Sequence, residues 1–158
     1  MDQTEGREIK TTRIIDVAAA LVFFRRRLLI TQRPPGGHLA GFWEFPGGKV
    51  EPNESWENCL HRELLEELRY DVRVGGLFSE IVHHYPEKSV RLRFFCCTPC
   101  RPNSQPVAMG CSAYAWITRA ELGHYAFPPA DAKLLEALQA DQRIWKNPPR
   151  PEPTSQPS

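Results

Sequence analysis

The segment from Ser55 to Leu68 is a helix with two opposed faces, and it dictates the kind of neighbour the rest of the chain must supply. Ser55 suits an N-cap, since its hydroxyl can accept from a free first-turn N–H, and Glu57 suits the positive end of the helix dipole. Residues three and four apart share a helix face. Leu60, Leu64 and Leu68 therefore form one apolar stripe that needs a sheet to lie on. Glu63, Glu66 and Glu67 stand at i, i+3 and i+4 and bring three carboxylates together, with Arg62 beside them. Such a cluster repels itself unless cations neutralise it. Hard oxygen donors suit Mg²⁺, or Mn²⁺, better than zinc. A solvated acidic face balanced by Arg62 and Arg69 is the alternative reading of the same residues.

The flanking sequence supplies the sheet. Ile14–Phe24 is a β-branched and apolar run, as in a strand buried on both faces. Arg25-Arg26-Arg27 reads as a solvated turn and Leu28–Gln32 as the returning strand. Pro34–Gly48 is a long Gly- and Pro-rich loop with Trp43 and Phe45 embedded, and long loops inside compact domains usually carry function. Leu77–His83, Val90–Thr98 and Ala113–Ile117 read as strands, the first two antiparallel across the Tyr85–Ser89 turn. Thr118 caps a short helix to Leu122, and Ala130–Ala140 is a second long helix buried through Leu134, Leu135 and Leu138. The order predicts an α/β layered domain with a mixed sheet over residues 13–145. It is flanked by a polar tail, 1–12, and by a Pro-rich tail, 146–158, read as disordered.

Composition narrows the classes. Twenty basic and nineteen acidic residues give a net charge of +1, so no general field attracts a nucleic-acid duplex, and stable nucleic-acid binding is not expected. No apolar run approaches the ~20 residues that span a bilayer. Met1–Lys10 lacks the apolar core of a signal peptide. Five irregularly spaced cysteines read as reduced thiols, and a cytoplasmic location is expected. Cys97 and Cys100 form a C-x2-C without a well-spaced fourth partner, so no zinc site is assigned. His83 and His84 cannot both face one site on a strand. No G-x4-G-K-[ST] loop and no G-x-S-x-G elbow occurs.

Gly48, five residues, Glu54, seven residues and then Arg62-Glu63-Leu64-x-Glu66-Glu67 resembles the Nudix box, the signature of hydrolases cleaving nucleoside diphosphates linked to another moiety. Trp43–Lys49 and Phe127–Asp131 look like the MutT branch, whose members hydrolyse oxidised purine nucleotides such as 8-oxo-dGTP, with relatives acting on CTP or modified dCTP. The resemblance implies an α/β/α sandwich with a mixed sheet. It implies Mg²⁺ held by the Gly47 carbonyl and by Glu63, Glu66 and Glu67, with Arg62 orienting Glu63. Glu54 and Gly48 would build the frame. Arg33, His38, Phe45, Lys49, Phe127 and Asp131 would bind the nucleotide. The expected reaction is pyrophosphohydrolysis of a nucleoside triphosphate by a monomer or homodimer serving nucleotide-pool sanitation and DNA repair, with another nucleoside-diphosphate-linked substrate, such as a nucleotide sugar, as an alternative.

The chain departs from the pattern at three positions. Arg69 replaces the glycine that ends the box helix in a left-handed conformation. Gly110 stands where relatives carry a further loop glutamate, and no acidic residue occurs from Cys96 to Arg119. Asp131 stands where MutT carries asparagine. An ionised aspartate only accepts hydrogen bonds, which keeps CTP-like substrates open, as it does a plain role at the helix dipole. Gly110 and Arg69 also keep open a non-catalytic nucleotide-binding domain.

Overall fold

A computed structural model describes residues 13–149, so the two tail readings at 1–12 and 150–158 lie outside the described residues. The strands are β1 (Arg13–Phe24), β2 (Arg27–Gln32), β3 (Trp43–Glu44), β4 (Gly47–Lys49), β5 (Val72–His84), β6 (Lys88–Pro99) and β7 (Ala113–Thr118). The helices are α1 (Trp56–Leu68), α2 (Ala132–Ala140) and α3 (Gln142–Lys146), with 3₁₀ turns at Arg119–His124 and Pro129–Asp131.

β1 is the spine of the sheet. It pairs parallel with β6 from Arg13↔Lys88 to Val22↔Cys97, and β6 pairs antiparallel with the edge strand β5. On its other side β1 is shared. Only Phe23 and Phe24 meet β2, whereas Val17, Ala18 and Ala19 pair with β4. β2 instead carries β3 and β7 on its flanks. Successive β1 side chains point to opposite faces and feed two cores. Leu21 and Phe23 pack with Phe45, Phe94, Leu134, Leu138 and Trp145 on one side. Ala18, Ala20 and Val22 meet Leu60, Leu64, Leu68 and Tyr70 on the other. The mixed sheet thus lies between α1 and the α2–α3 layer, the sandwich expected from the sequence. Leu60, Leu64 and Leu68 are each fully buried, worth about 2 kcal/mol apiece in removed apolar surface.

The local readings need four corrections. Pro34–Gly48 is not structureless, because β3 and β4 form inside it. β5 begins at Val72 rather than Leu77. Its first part carries Gly75-Gly76, where the register with β6 shifts between Val74 and Leu77. Such a bulge hides the alternation on which strand reading depends. The second long helix starts as a 3₁₀ turn at Pro129 and becomes α-helical only at Ala132; Leu134 and Leu138 are buried and Leu135 partly so. Beyond it α3 was not foreseen. Trp145 is buried against Phe23, ring centroids 5.3 Å apart, and its indole N–H donates to the Leu138 carbonyl at 2.9 Å. Of the Pro-rich stretch, residues 146–149 are therefore described, and Pro149 lies against Gly75 and Gly76.

Arg69 ends α1 in the left-handed conformation that glycine would adopt freely, φ 47° and ψ 44°. Its N–H reaches the Leu65 carbonyl at 3.0 Å, and that of Tyr70 reaches Leu64 at 3.2 Å. The helix end keeps its geometry and carries about 1 kcal/mol of backbone strain.

Candidate active site

Ser55 holds the start of α1 by accepting from the Asn58 N–H at 3.0 Å, and the leucine stripe fixes the rotation of the helix. Its polar face then meets the turn from β4. Gly48 lets the Glu63 carboxylate pack against the strand, since a Cβ there would displace it. A Cβ on Gly47 would strike the Ala18 carbonyl of β1. Gly47 also adopts a positive φ of 159°, which a side chain would strain.

Arg62 organises the helix side of the site. Its Nε and Nη2 donate to the two oxygens of Glu54 at 2.8 and 2.9 Å. Its Nη1 donates to Glu63 at 2.8 Å, and Nη2 also reaches the Lys49 carbonyl at 3.1 Å. Glu66 lies 3.6 Å from the same guanidinium and is largely exposed. Glu54 is held down to about 2 by the hydrogen bonds from Arg62. Glu63 is raised by burial despite Arg62 opposing it. Glu67 is pushed up to about 8 by burial first, then by the charges of Glu63 and Glu44; a hydrogen bond from the Gly47 backbone opposes the rise. Among the described residues Glu67 has no salt-bridge partner.

Beside this cluster opens a cleft of about 520 Å³. Arg33, His38, Phe45, Gly47, Gly48, Lys49, Glu67 and Asp131 all line it. Of the remaining sequence-predicted residues, Phe127 stands behind the wall, stacked on Phe45 at 5.3 Å and 20°. Arg62, Glu63, Glu66 and Glu54 lie on the α1 side of the cluster. Arg33 donates to Glu44 at 2.9 Å and to the His38 carbonyl at 2.8 Å, closing the base of the loop after β2.

Glu44 is the principal residue that sequence reading missed. It lines the cleft, and burial raises it in spite of Arg33. Its signal was an unpaired arginine at the near end of a Gly-rich loop whose far end carries an acid. Tyr85, Leu92 and Phe94 also line the cleft, delivered by the β5–β6 hairpin through pairing remote in sequence. Gly110 packs directly on the end of α1, its N–H donating to the Glu67 carbonyl at 3.1 Å beside that of Met109 at 2.9 Å.

The donor chemistry of the cluster suits a hard divalent cation. Several carboxylates adjoin, and the one without a cationic partner is forced far from its ordinary range, a strain that a bound dication relieves. Among the described residues, however, no three acidic, His or Cys side chains already stand grouped for one ion; Glu63 is bonded to Arg62 and Glu66 faces solvent. No helix of the described residues is long and apolar enough to cross a membrane.

A mixed sheet sandwiched by helices, with a Gly-Gly strand beside a carboxylate helix, defines a Nudix-type hydrolase. The chain belongs to the Nudix family: the model of the NUDIX domain matches residues 18–137, and its homologues include nucleotide pyrophosphohydrolases. It is 41% identical over 85 residues to an 8-oxo-dGTP diphosphatase of Proteus vulgaris, covering 53% of this chain and 76% of that protein. It is 35% identical over 128 residues to the CTP pyrophosphohydrolase of Escherichia coli K12, covering 81% and 93%. Among solved structures, the E. coli ORF135 protein superposes with a TM-score of 0.70 at 34% identity, covering 82% and 91% of the two chains. MutT from methicillin-resistant Staphylococcus aureus 252 gives 0.62 at 32%, covering 81% and 97%.

Proposed function

We propose that this chain hydrolyses nucleoside triphosphates, oxidised purine forms of the 8-oxo-dGTP kind foremost, to the nucleoside monophosphate and pyrophosphate. The observation that carries the reading is one cleft bordered by both a cation-seeking carboxylate cluster, at Glu67, and an aromatic and carboxyl wall, at Phe45 and Asp131. The first suits a polyphosphate carried with its metal, the second a base. Glu63, Glu66, Glu67 and the Gly47 carbonyl would hold Mg²⁺ or Mn²⁺, which when bound supplies charge neutralisation and a more acidic water. Arg62 aims Glu63, and Lys49 and Arg33 add positive charge for the phosphates. Water adds to an internal phosphorus with its proton passing to Glu63. The bridging bond between the α and β phosphates breaks, and the phosphate group not attacked leaves with the electron pair, giving nucleoside monophosphate and pyrophosphate. The proposed setting is the cytoplasmic nucleotide pool, where removing damaged triphosphates spares DNA, with the chain acting as monomer or homodimer.

A second reading, CTP or modified dCTP, is favoured by Asp131. Where ionised, this side chain offers acceptors only, and the E. coli relative above carries the CTP name. A pyrophosphate-release screen over the (d)NTPs, 8-oxo-dGTP, 5-modified dCTP and nucleotide sugars, with and without Mg²⁺, tests both. Release from 8-oxo-dGTP far above dGTP is the expected result. Preference for CTP-type substrates moves the assignment to the second reading. Nucleotide binding without turnover of any of them overturns the hydrolase assignment.

A further inference from the structure

Thr31 on β2 is 1% exposed, and among the described residues its hydroxyl is the only buried side-chain oxygen or nitrogen without a hydrogen-bond partner. A hydroxyl buried in that way costs stability that Val, its apolar counterpart in shape, does not. Strand register supplies the group that can answer it. Thr31 stands directly opposite Glu44 of β3 and, on its other side, opposite Tyr114 of β7. Directly opposed residues share a sheet face, with Cβ atoms about 4.5–5.5 Å apart. Tyr114 packs with the core beneath α1, so the row lies on the side of the carboxylate helix.

Glu44 is committed elsewhere, accepting from Arg33 Nε at 2.9 Å. Arg33 Nη1 is committed as well, donating to the His38 carbonyl at 2.8 Å. A guanidinium grips a phosphate through two parallel bonds, from Nε with Nη2 or from Nη1 with Nη2. Neither edge of Arg33 is therefore wholly free. A phosphate seated in the cleft that Arg33 lines must displace one partner, and of the two it repels the charged one, Glu44. Burial disfavours the Glu44 charge even with Arg33 in place. Stripped of that cation, the carboxylate needs a donor, and the one opposite it is the unused hydroxyl of Thr31.

We propose that Thr31 is a positioning residue for phosphate capture: its hydroxyl receives Glu44 when a phosphate takes Arg33. The exchange leaves neither the guanidinium nor the carboxylate unpaired. This rests on the nucleotide reading above and deepens it. The ligand class is the phosphate or pyrophosphate group itself, and the base plays no part. The empty protein carries the cost of an unanswered hydroxyl, and the loaded one recovers it.

The test sets the melting temperature of the metal-free chain beside its dissociation constant for pyrophosphate in millimolar Mg²⁺, measured by calorimetry. T31V, with the same shape and no hydroxyl, raises the melting temperature by about 2 °C or more. The same substitution weakens pyrophosphate binding at least about fivefold. T31S, which keeps the hydroxyl, binds pyrophosphate within about twofold of the wild type. Combined with E44A, T31V has no further effect on binding. A merely structural threonine does not move the two readouts in opposite directions. The inference is overturned by a T31V chain that melts no higher, since its hydroxyl then already has a partner. It is equally overturned by T31V binding pyrophosphate as the wild type does, by T31S binding as weakly as T31V, or by a wild type that binds no pyrophosphate. Opposed shifts without release from any nucleotide sink the hydrolase reading alone; release intact with T31V indistinguishable from the wild type sinks this inference alone.

Discussion

Glu54 precedes α1 and Glu67 lies in its last turn, and the protein treats them in opposite ways. Glu54 accepts from Nε and Nη2 of Arg62 and is held at about 2, ionised and finished as an interaction. Glu67 stands in the cleft wall with no salt-bridge partner among the described residues. Buried near Glu63 and Glu44, it is pushed up to about 8. The first carboxylate is structural, because its charge is already answered within the fold. The second keeps an unanswered demand for positive charge, and that demand marks it as a site for a ligand. The contrast concentrates the unanswered repulsion of the acidic helix at its C-terminal end.

The comparison can be broken most severely through Glu63, which sits between the two regimes. Glu63→Gln should lower pyrophosphate release at least about a hundredfold with little change in melting temperature. Wild-type turnover of every nucleotide tested would remove Glu63 from the chemistry. Next in size, Arg62→Ala should cost about 1–3 kcal/mol in urea unfolding, because Glu54 and Glu63 lose a shared partner. Glu67→Gln should instead leave the metal-free protein as stable or more so while abolishing Mg²⁺-dependent turnover. Equal destabilisation by both substitutions would erase the distinction between the two ends.

Smaller still is the pH response of the metal-free protein, followed as melting temperature. Glu67, raised in the fold to about 8 from an ordinary value of 4.5, favours folding while protonated. Its contribution is complete below about 4.5 and is lost as pH rises to about 8. The loss amounts to about 1–2 kcal/mol after allowance for solvent, and millimolar Mg²⁺ should abolish it. Glu54, lowered to about 2, acts with the opposite sign: its contribution is whole above 4.5 and disappears as pH falls toward 2. A melting temperature flat from pH 5 to 9 without metal would contradict the picture of Glu67. The smallest effect is expected at the helix end. Arg69→Gly should raise stability by about 1 kcal/mol or less, since glycine meets φ 47° without a Cβ penalty but loses more chain entropy. Pyrophosphate release should not change.

What was legible in the sequence follows the range of the interactions. Ser55, the leucine stripe and the Glu63–Glu66–Glu67 face depend on spacings within a few turns of one helix, and all could be read. The sandwich followed from the order of elements together with the family resemblance. The opposite wall of the cleft was read in part: Phe45 and Asp131 came from the family resemblance, whereas Glu44 and Tyr85 join them only once β1 has paired with β6 and the hairpin has been placed. Gly75-Gly76 broke the alternation of β5 and concealed its first residues. Trp145 was hidden for another reason: it adjoins a Pro-rich stretch whose composition dominates any window containing it, although its indole fills a core position beside Phe23.

The spine strand also sets a timetable. β1 gains its antiparallel neighbours β2 and β4 early in the chain, but its long parallel partner β6 lies far downstream, with Asp16 and Arg91 joined across 75 positions. Contacts that remote are slow to close. During synthesis the inner edge of β1 therefore emerges many residues before its mate, with the apolar run Ala18 to Val22 unpaired on that side. An unpaired apolar strand is a template for other chains. Aggregation on overproduction should therefore set in early, before β6 has left the ribosome, and a slower rate of translation just after β4 would worsen the yield, whereas slowing after β6 would have no effect.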